Sequence, residues 1–341
     1  MKLSMVLMTA INAVMPIILL VILGYLLKRT GFLTKEFLKI GNKLVFNVCL
    51  PCMLFVNVYE IESFTSISWD IVIYAIAMLL VIFILGLATA VATTRVPERR
   101  GVVLQCTFRS NMAIIGLSLA SALGGDQAIA VASVVTAFTV PAFNILAVIA
   151  LSMFVDNGGK KTGVKGILLN IVKNPLIIGV AIGLVCLVFR ALEEKLFGSA
   201  VFRLDTQLKF VYKAVKNLNA IASPFALLVL GGQFEFSAVR GLLKEIVVGT
   251  VWRIVIAPAL GIGCAILLSA KTNLLSCGVN EYPALVAMFG SPVAVSSAIM
   301  AGSMGNDEQL GTQLVVWTSL LSVITIFVTV CILMWLGLLA G

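Results

Sequence analysis

The chain has 341 residues, of which 61% are hydrophobic and only 11% charged; its mean hydropathy is +1.13 and its formal net charge +9. Such hydropathy lies far outside the range of soluble globular chains, so the composition excludes a soluble domain and indicates an all-α polytopic membrane protein. Nor does the positive charge point to nucleic acid, because the lysines and arginines sit in short loops at alternate ends of apolar segments, where they act as topology signals.

A helical crossing needs about 20 mostly apolar residues. Ten segments fit: residues 9–27, 42–59, 70–93, 102–123, 128–154, 167–190, 212–232, 243–269, 282–304 and 310–338. Segment one follows a lone Lys2 and ends at Lys28 and Arg29 without a small-residue cleavage pattern, so it is expected to stay in the mature protein. Segment two carries Asn47, expected on an interior face, and the run C-L-P-C at 49–52. That run has redox spacing, but thiols in an apolar helix ionise poorly and packing is the better reading.

Segment four sits in FRSNMAIIGLSLASALGGD at 108–126, which places Arg109, Ser110, Asn111, Gly116 and Ser118 inside an otherwise membrane-spanning run. Segment five contains Asn144, and residues 155–166 form a short linker before segment six. The connection from Ala191 to Asn217 mixes charged with apolar residues in the manner of an interfacial helix. Segment eight contains Arg253, and segment nine sits in FGSPVAVSSAIMAGSMGND at 289–307, with Gly290, Ser291, Pro292, Ser296 and Ser297. Asp126 and Asp307 stand just ahead of segments five and ten, where N-capping explains them and an ion-coupling role is the alternative.

Assigned by parity, 14 basic residues fall on one side, from Lys28 to Lys244, and 8 on the other, six of them in the long connection between segments six and seven. Long connections weigh little in the positive-inside rule. Both termini are therefore expected outside the cell membrane and the 155–166 linker in the cytoplasm.

The chain also repeats itself. Residues 108–126 align with 289–307 at an offset of 181 with six identities in 19 positions, among them Phe108/Phe289, Ser110/Ser291 and Asp126/Asp307. PIILLVILGYLLKR at 16–29 resembles PLIIGVAIGLVCLVFR at 175–190, and Pro51 pairs with Pro224. Two halves of five segments follow, 1–154 and 167–341, and an odd number per half makes the second half enter the membrane inverted. Segments four and nine then become symmetry mates, each interrupted near mid-depth by polar and helix-breaking residues. Proline removes a backbone donor and clashes with the preceding turn, so polar groups near Pro292 must be buried in protein or line a wet cavity. Half-helix N-termini at such breaks carry partial positive charge suited to anions.

Arg109 and Arg253 are the basic residues placed well within segments. A charge at bilayer depth costs at least ~2.5 kcal/mol, so each needs a partner. A carboxylate ligand is one; snorkelling to the interface is the alternative for Arg109, and bonds to broken-helix carbonyls are the alternative for Arg253. The chain has no histidine and no acidic residue well inside a segment, so the usual proton relay is missing. No catalytic constellation, metal-ligand cluster or phosphate loop is present, so no enzyme activity and no cofactor are expected.

The stretches NKLVFNVCLPCMLF (42–55), FRSNMAIIGLSLA (108–120), KNPLIIGVAIGL (173–184), RIVIAP (253–258) and SPVAVSSAIMAGSMGND (291–307) resemble the auxin efflux carrier (PIN-like) family along the whole chain. The family usually has a proline where Ser118 stands here. The resemblance implies a scaffold of helices one, two, six and seven, often homodimeric, and a mobile transport domain of helices three to five and eight to ten. It also implies elevator-type secondary transport of small organic anions bound where helices four and nine cross. Auxin is carried by plant members and dicarboxylates such as malate or malonate by bacterial ones, and the short linker is more similar to the bacterial type. The expected substrate-binding set, with Asn111 matching the family's asparagine and the others read from their own chemistry, is Asn47, Arg109, Ser110, Asn111, Gly116, Ser118, Arg253, Ser291, Pro292, Ser296 and Ser297. Sodium, a proton or no coupling ion remain open, and a bile-acid-type sodium symporter or a PIN-like sensor without transport are the rival readings.

Overall fold

The computed structural model describes residues 3–60, 69–154, 172–197, 202–272 and 274–339. These are helical apart from short connections and one isolated antiparallel bridge between Ser110 and Val293. In chain order the helices are α1 (Leu3–Arg29), α2 (Lys35–Leu44) and α3 (Leu50–Tyr59), the last two joined by a π-helical turn at Val45–Cys49; then α4 (Trp69–Thr93) and α5 (Pro97–Phe108). A π-helical turn at Met112–Gly116 opens α6 (Leu117–Ser152), followed by α7 (Pro175–Phe197), the short α8 (Leu204–Gln207) and α9 (Lys209–Gln233). Next come α10 (Ala238–Val251), which runs through Trp252–Ile256 into α11 (Ala257–Lys271), and α12 (Glu281–Leu285), extended by Val286–Gly290. The last two are α13 (Ser296–Ser303) and α14 (Glu308–Trp335).

Among the described residues, seven stretches are long and apolar enough to cross a membrane: Lys35–Tyr59, Trp69–Thr93, Met112–Ser152, Pro175–Phe197, Lys209–Gln233, Ala238–Lys271 and Glu308–Trp335. The 27-residue α1 precedes them. Ten segments were expected, the fourth and ninth of them interrupted near mid-depth. The fourth stops at Phe108, because Arg109 is extended (φ −80°, ψ 112°), and helix resumes only at Met112. The resumed helix then runs into the fifth segment without a separate connection, turning at Gly125, whose φ of 64° and ψ of −152° a side chain would disfavour. The ninth stops at Gly290 and restarts at Ser296. There the cause is local: proline pushes the residue before it out of helical backbone, and Ser291 has ψ 149°.

Asp307 is the N-cap of α14, its carboxylate accepting from the Leu310 amide at 2.9 Å. Asp126 lies inside the merged α6, exposed, just past the turn at Gly125. The interfacial helix expected across Ala191–Asn217 is replaced by the end of α7, the four-residue α8 and the start of α9. No breaker follows Arg190, so α7 simply runs on to Phe197; residues 198–201 and the expected 155–166 linker lie outside the described residues.

Helix α9 packs on α1, α2 and α3, and α3 packs on α7; α4, α5, α6 and α10 to α14 pack among themselves, and the two groups meet where α1 lies along α14 and α2 reaches α13. At the contact of α1 with α9, a Cβ on Gly24 would collide with the Leu228 carbonyl and one on Gly231 with the Val21 carbonyl. Lipid tails are as apolar as leucine, so this backbone-to-backbone approach supplies the attraction that the hydrophobic effect supplies in water. All seven cysteines are unpaired.

Candidate functional site at the crossing of two broken helices

The two breaks meet. The Asn111 amide donates to the Pro292 carbonyl at 2.8 Å, and Ser110 bridges Val293, so the extended backbone of one break is held by the other. The approach is close: a Cβ on Gly116 would lie 2.7 Å from the Ala287 carbonyl oxygen. This pairing accounts for a break at Arg109–Asn111 that has no proline of its own.

Each break leaves one helix C-terminus with free carbonyls and one N-terminus with free amides. Arg253, 1% exposed and carried on the turn between α10 and α11, takes both C-termini. Its Nε donates to the Ser291 carbonyl at 2.9 Å, Nη1 to Phe108 at 3.1 Å and Thr107 at 3.5 Å, and Nη2 to Met288 at 3.0 Å and Phe289 at 2.7 Å. A fixed cation thus faces the negative ends of both half-helices. Of the two uses the sequence allowed for Arg253, the carbonyl-binding one is realised, and its side chain does not line the cavity described next.

A cavity of about 40 Å³ lies at the crossing, lined by Arg109, Ser110, Asn111 and Ser296 among others. Arg109 is 3% exposed and does not snorkel. Its Nη2 donates to Asn144 Oδ1 and to Ser296 Oγ, both at 2.8 Å, and its Nη1 lies against Met300 Sδ. With the Gln105 amide oxygen turned toward it, Nη1 has a further acceptor at 2.8 Å, while the Gln105 nitrogen reaches the Ser297 carbonyl at 3.3 Å. Every one of these partners is neutral. Among the described residues Arg109 takes part in no ion pair; Arg99, for comparison, is paired with Glu245 and with Asp307. Beside this unbalanced cation, Ser110 Oγ and Asn111 Nδ2 are buried and have no hydrogen-bond partner among the described residues.

The expected site residues therefore divide three ways. Arg109, Ser110, Asn111 and Ser296 line the cavity. Gly116, Ser291, Pro292 and Ser297 belong to the buried frame around the breaks, Ser291 and Pro292 through their carbonyls. Elsewhere, Ser118 is exposed and bonds the Ile114 carbonyl of its own helix at 3.1 Å, and Asn47 is exposed and bonds the Lys43 carbonyl at 2.8 Å. Asn47 lines a separate vestibule of about 750 Å³ together with Lys28, Lys35, Lys39, Lys43 and Glu308. Asn57 of α3 and Ser223 of α9 also line the crossing cavity and were not picked out from the sequence. For Ser223 a signal existed in its place just before Pro224, the repeat partner of Pro51; for Asn57 there was only its polarity in an apolar run.

The family described as Membrane transport protein matches residues 9–330. The chain is also similar to the uncharacterized transporter MJ1031 of Methanocaldococcus jannaschii, with 22% identity over 332 residues, covering 96% of this chain and 98% of the relative.

Proposed function

This chain belongs to the membrane transport protein family, that of the auxin efflux carriers, and from that premise we propose that it carries a small organic anion bound at the crossing of its two broken helices. The observation that carries this reading is Arg109, a buried guanidinium with only neutral partners, lining a cavity beside the unpartnered Ser110 Oγ and Asn111 Nδ2. A carboxylate answers all three: a guanidinium grips it through two parallel hydrogen bonds, and the hydroxyl and amide have protons to donate. Arg253 strengthens the same field by covering the negative helix ends, while the helix N-termini at Met112 and Ser296, with their partial positive charge, flank the cavity.

At about 40 Å³ the cavity holds a water or two, less than a dicarboxylate such as malate or malonate, so on this reading substrate entry opens the crossing. Elevator movement supplies that opening: α1 to α3, α7 and α9 serve as a scaffold, dimeric in the membrane, against which the other helices move. The two halves, 1–154 and 167–341, are inverted repeats in this scheme, and the lysine-lined vestibule faces the cytoplasm with both termini outside the cell membrane.

The test is uptake of labelled malate, malonate and indole-3-acetate into proteoliposomes under a sodium gradient, a pH gradient and neither. Saturable uptake of one anion, abolished by Asn111→Ala and by Arg109→Met, is the expected result. Saturable uptake that both variants leave intact would remove the crossing as the site.

A further inference from the structure

Glu308 takes no part in the crossing, yet its carboxylate sits where the two helix groups meet. It opens α14, and its Oε1 accepts from Asn42 Nδ2 of α2 at 2.5 Å and from Gln233 Nε2 of α9 at 2.8 Å. The side chain lies against Gly302 of α13, where a Cβ would collide with the carboxylate. Asn42 is buried, and Glu308 is half-buried but lines the 750 Å³ vestibule. A carboxylate joining α14 to two helices of the other group is thus within reach of water.

We infer that Glu308 is the site at which a proton couples to the movement of α13 and α14 against α2 and α9. The inference rests on the transport reading above and names its coupling ion. In the ionised state two amide N–H groups donate to a charged acceptor, and such bonds are about twice as strong as neutral ones. A proton entering from the vestibule forms one O–H bond on the carboxylate, takes its charge from −1 to 0, and leaves both amides facing a neutral acid. The latch between the helix groups then weakens. Two nearby side chains of α14 have a different character: Gln309 and Gln313 donate to the carbonyls of Gln233 and Glu235, each at 2.8 Å, and carry no charge to lose.

Lys28 of α1 donates to the Gly232 carbonyl at 3.1 Å. Lys35, Lys39 and Lys43 of α2 and Glu235 after α9 line the vestibule. Asp307, the preceding residue, is paired with Arg99 at 2.9 Å, and Arg99 also reaches Glu245 of α10 at 3.4 Å. Helix α13 has no charged residue. Among these, Glu308 is the acidic side chain hydrogen-bonded across the boundary to α2 and α9.

The test needs no substrate. Spin labels at Lys39→Cys on α2 and Ser303→Cys on α13, both exposed, in a chain whose seven cysteines are replaced, report the separation of the two groups. In the wild type a second distance should grow as pH falls from about 7 to about 3, a range that brackets the ordinary glutamate value of about 4.3. In Glu308→Gln the second distance should be present at every pH, with the ratio of populations at neutral pH shifted about tenfold. Asn42→Ala, which removes one donor and keeps the carboxylate, should move the transition to higher pH, and it stands in if the glutamine variant does not fold. A wild-type distance that ignores pH, or a Glu308→Gln distance that follows pH as the wild type does, overturns the inference. Uptake of malate, malonate and indole-3-acetate is measured alongside: a pH-driven distance change without uptake of any of the three supports the proton switch and removes the anion reading. Uptake lost in Asn111→Ala with no pH-driven distance change does the reverse.

Discussion

Two buried arginines of the same chemistry are placed in opposite roles, and replacing each by methionine separates them. In Arg253→Met the carbonyls of Ser291, Phe108, Met288 and Phe289, now bonded at 2.7–3.1 Å, lose their donors. Leaving a buried acceptor unpaired costs ~1–3 kcal/mol, so four cost about 4 kcal/mol at the low end. Removing a cation from bilayer depth returns ~2.5 kcal/mol on insertion scales. The low-end balance is a loss of about 1.5 kcal/mol, and a cost per acceptor only slightly above that low end brings it to the roughly 3 kcal/mol expected here. Thermal unfolding in detergent should show a fall of about 5 °C, with Arg253→Lys in between, because lysine keeps the charge without the planar fork. Arg109→Met loses bonds to neutral partners but also relieves a charge that lacks a counter-ion. Its melting temperature should stay within about 2 °C of the wild type while anion uptake disappears. The reasoning fails if Arg253→Met melts with the wild type, or if Arg109→Met melts lower than Arg253→Met.

Gly116→Ala should cost about 1–3 kcal/mol and reduce uptake, because the new Cβ, 2.7 Å from the Ala287 oxygen, pushes the two breaks apart; paired melting and uptake curves check this. Ser118→Ala should leave uptake at the wild-type rate, since that hydroxyl is exposed and bonds only its own helix. At the far end of the α3 contact, the Arg203 guanidinium, with help from the Tyr59 hydroxyl, holds Asp205 down at about 2 from an ordinary 3.8. A lowered value means folding favours the ionised form, so its contribution is complete above pH 3.8 and fades as pH falls toward 2. Asp205→Asn should therefore melt below the wild type at neutral pH and converge with it in strong acid, as melting curves across that range would show.

The sequence by itself determined what depends on local chemistry. Long apolar runs require helices in a membrane, since lipid offers backbone groups no partners. Pro292 dictated a break because proline acts on its own neighbours, and Asp307 was legible as a cap for the same reason. Asn111 and Ser110 were legible as polar groups in an apolar segment. The tertiary structure decided what depends on distant partners. The break at Arg109 exists without a proline because Asn111 bonds the Pro292 carbonyl 181 residues away. Ser118 looked equivalent to its neighbours in the string, but the π-helical turn at Met112–Gly116 puts it on the outer face. Glu308 read as an ordinary first-turn acid until α2 and α9 brought Asn42 and Gln233 to it. For both arginines the sequence left a carboxylate ligand open beside a second use, snorkelling for Arg109 and helix carbonyls for Arg253. A guanidinium takes its role from what its fork meets, and Arg253 meets carbonyls 35 to 146 residues away, whereas Arg109 meets a cavity.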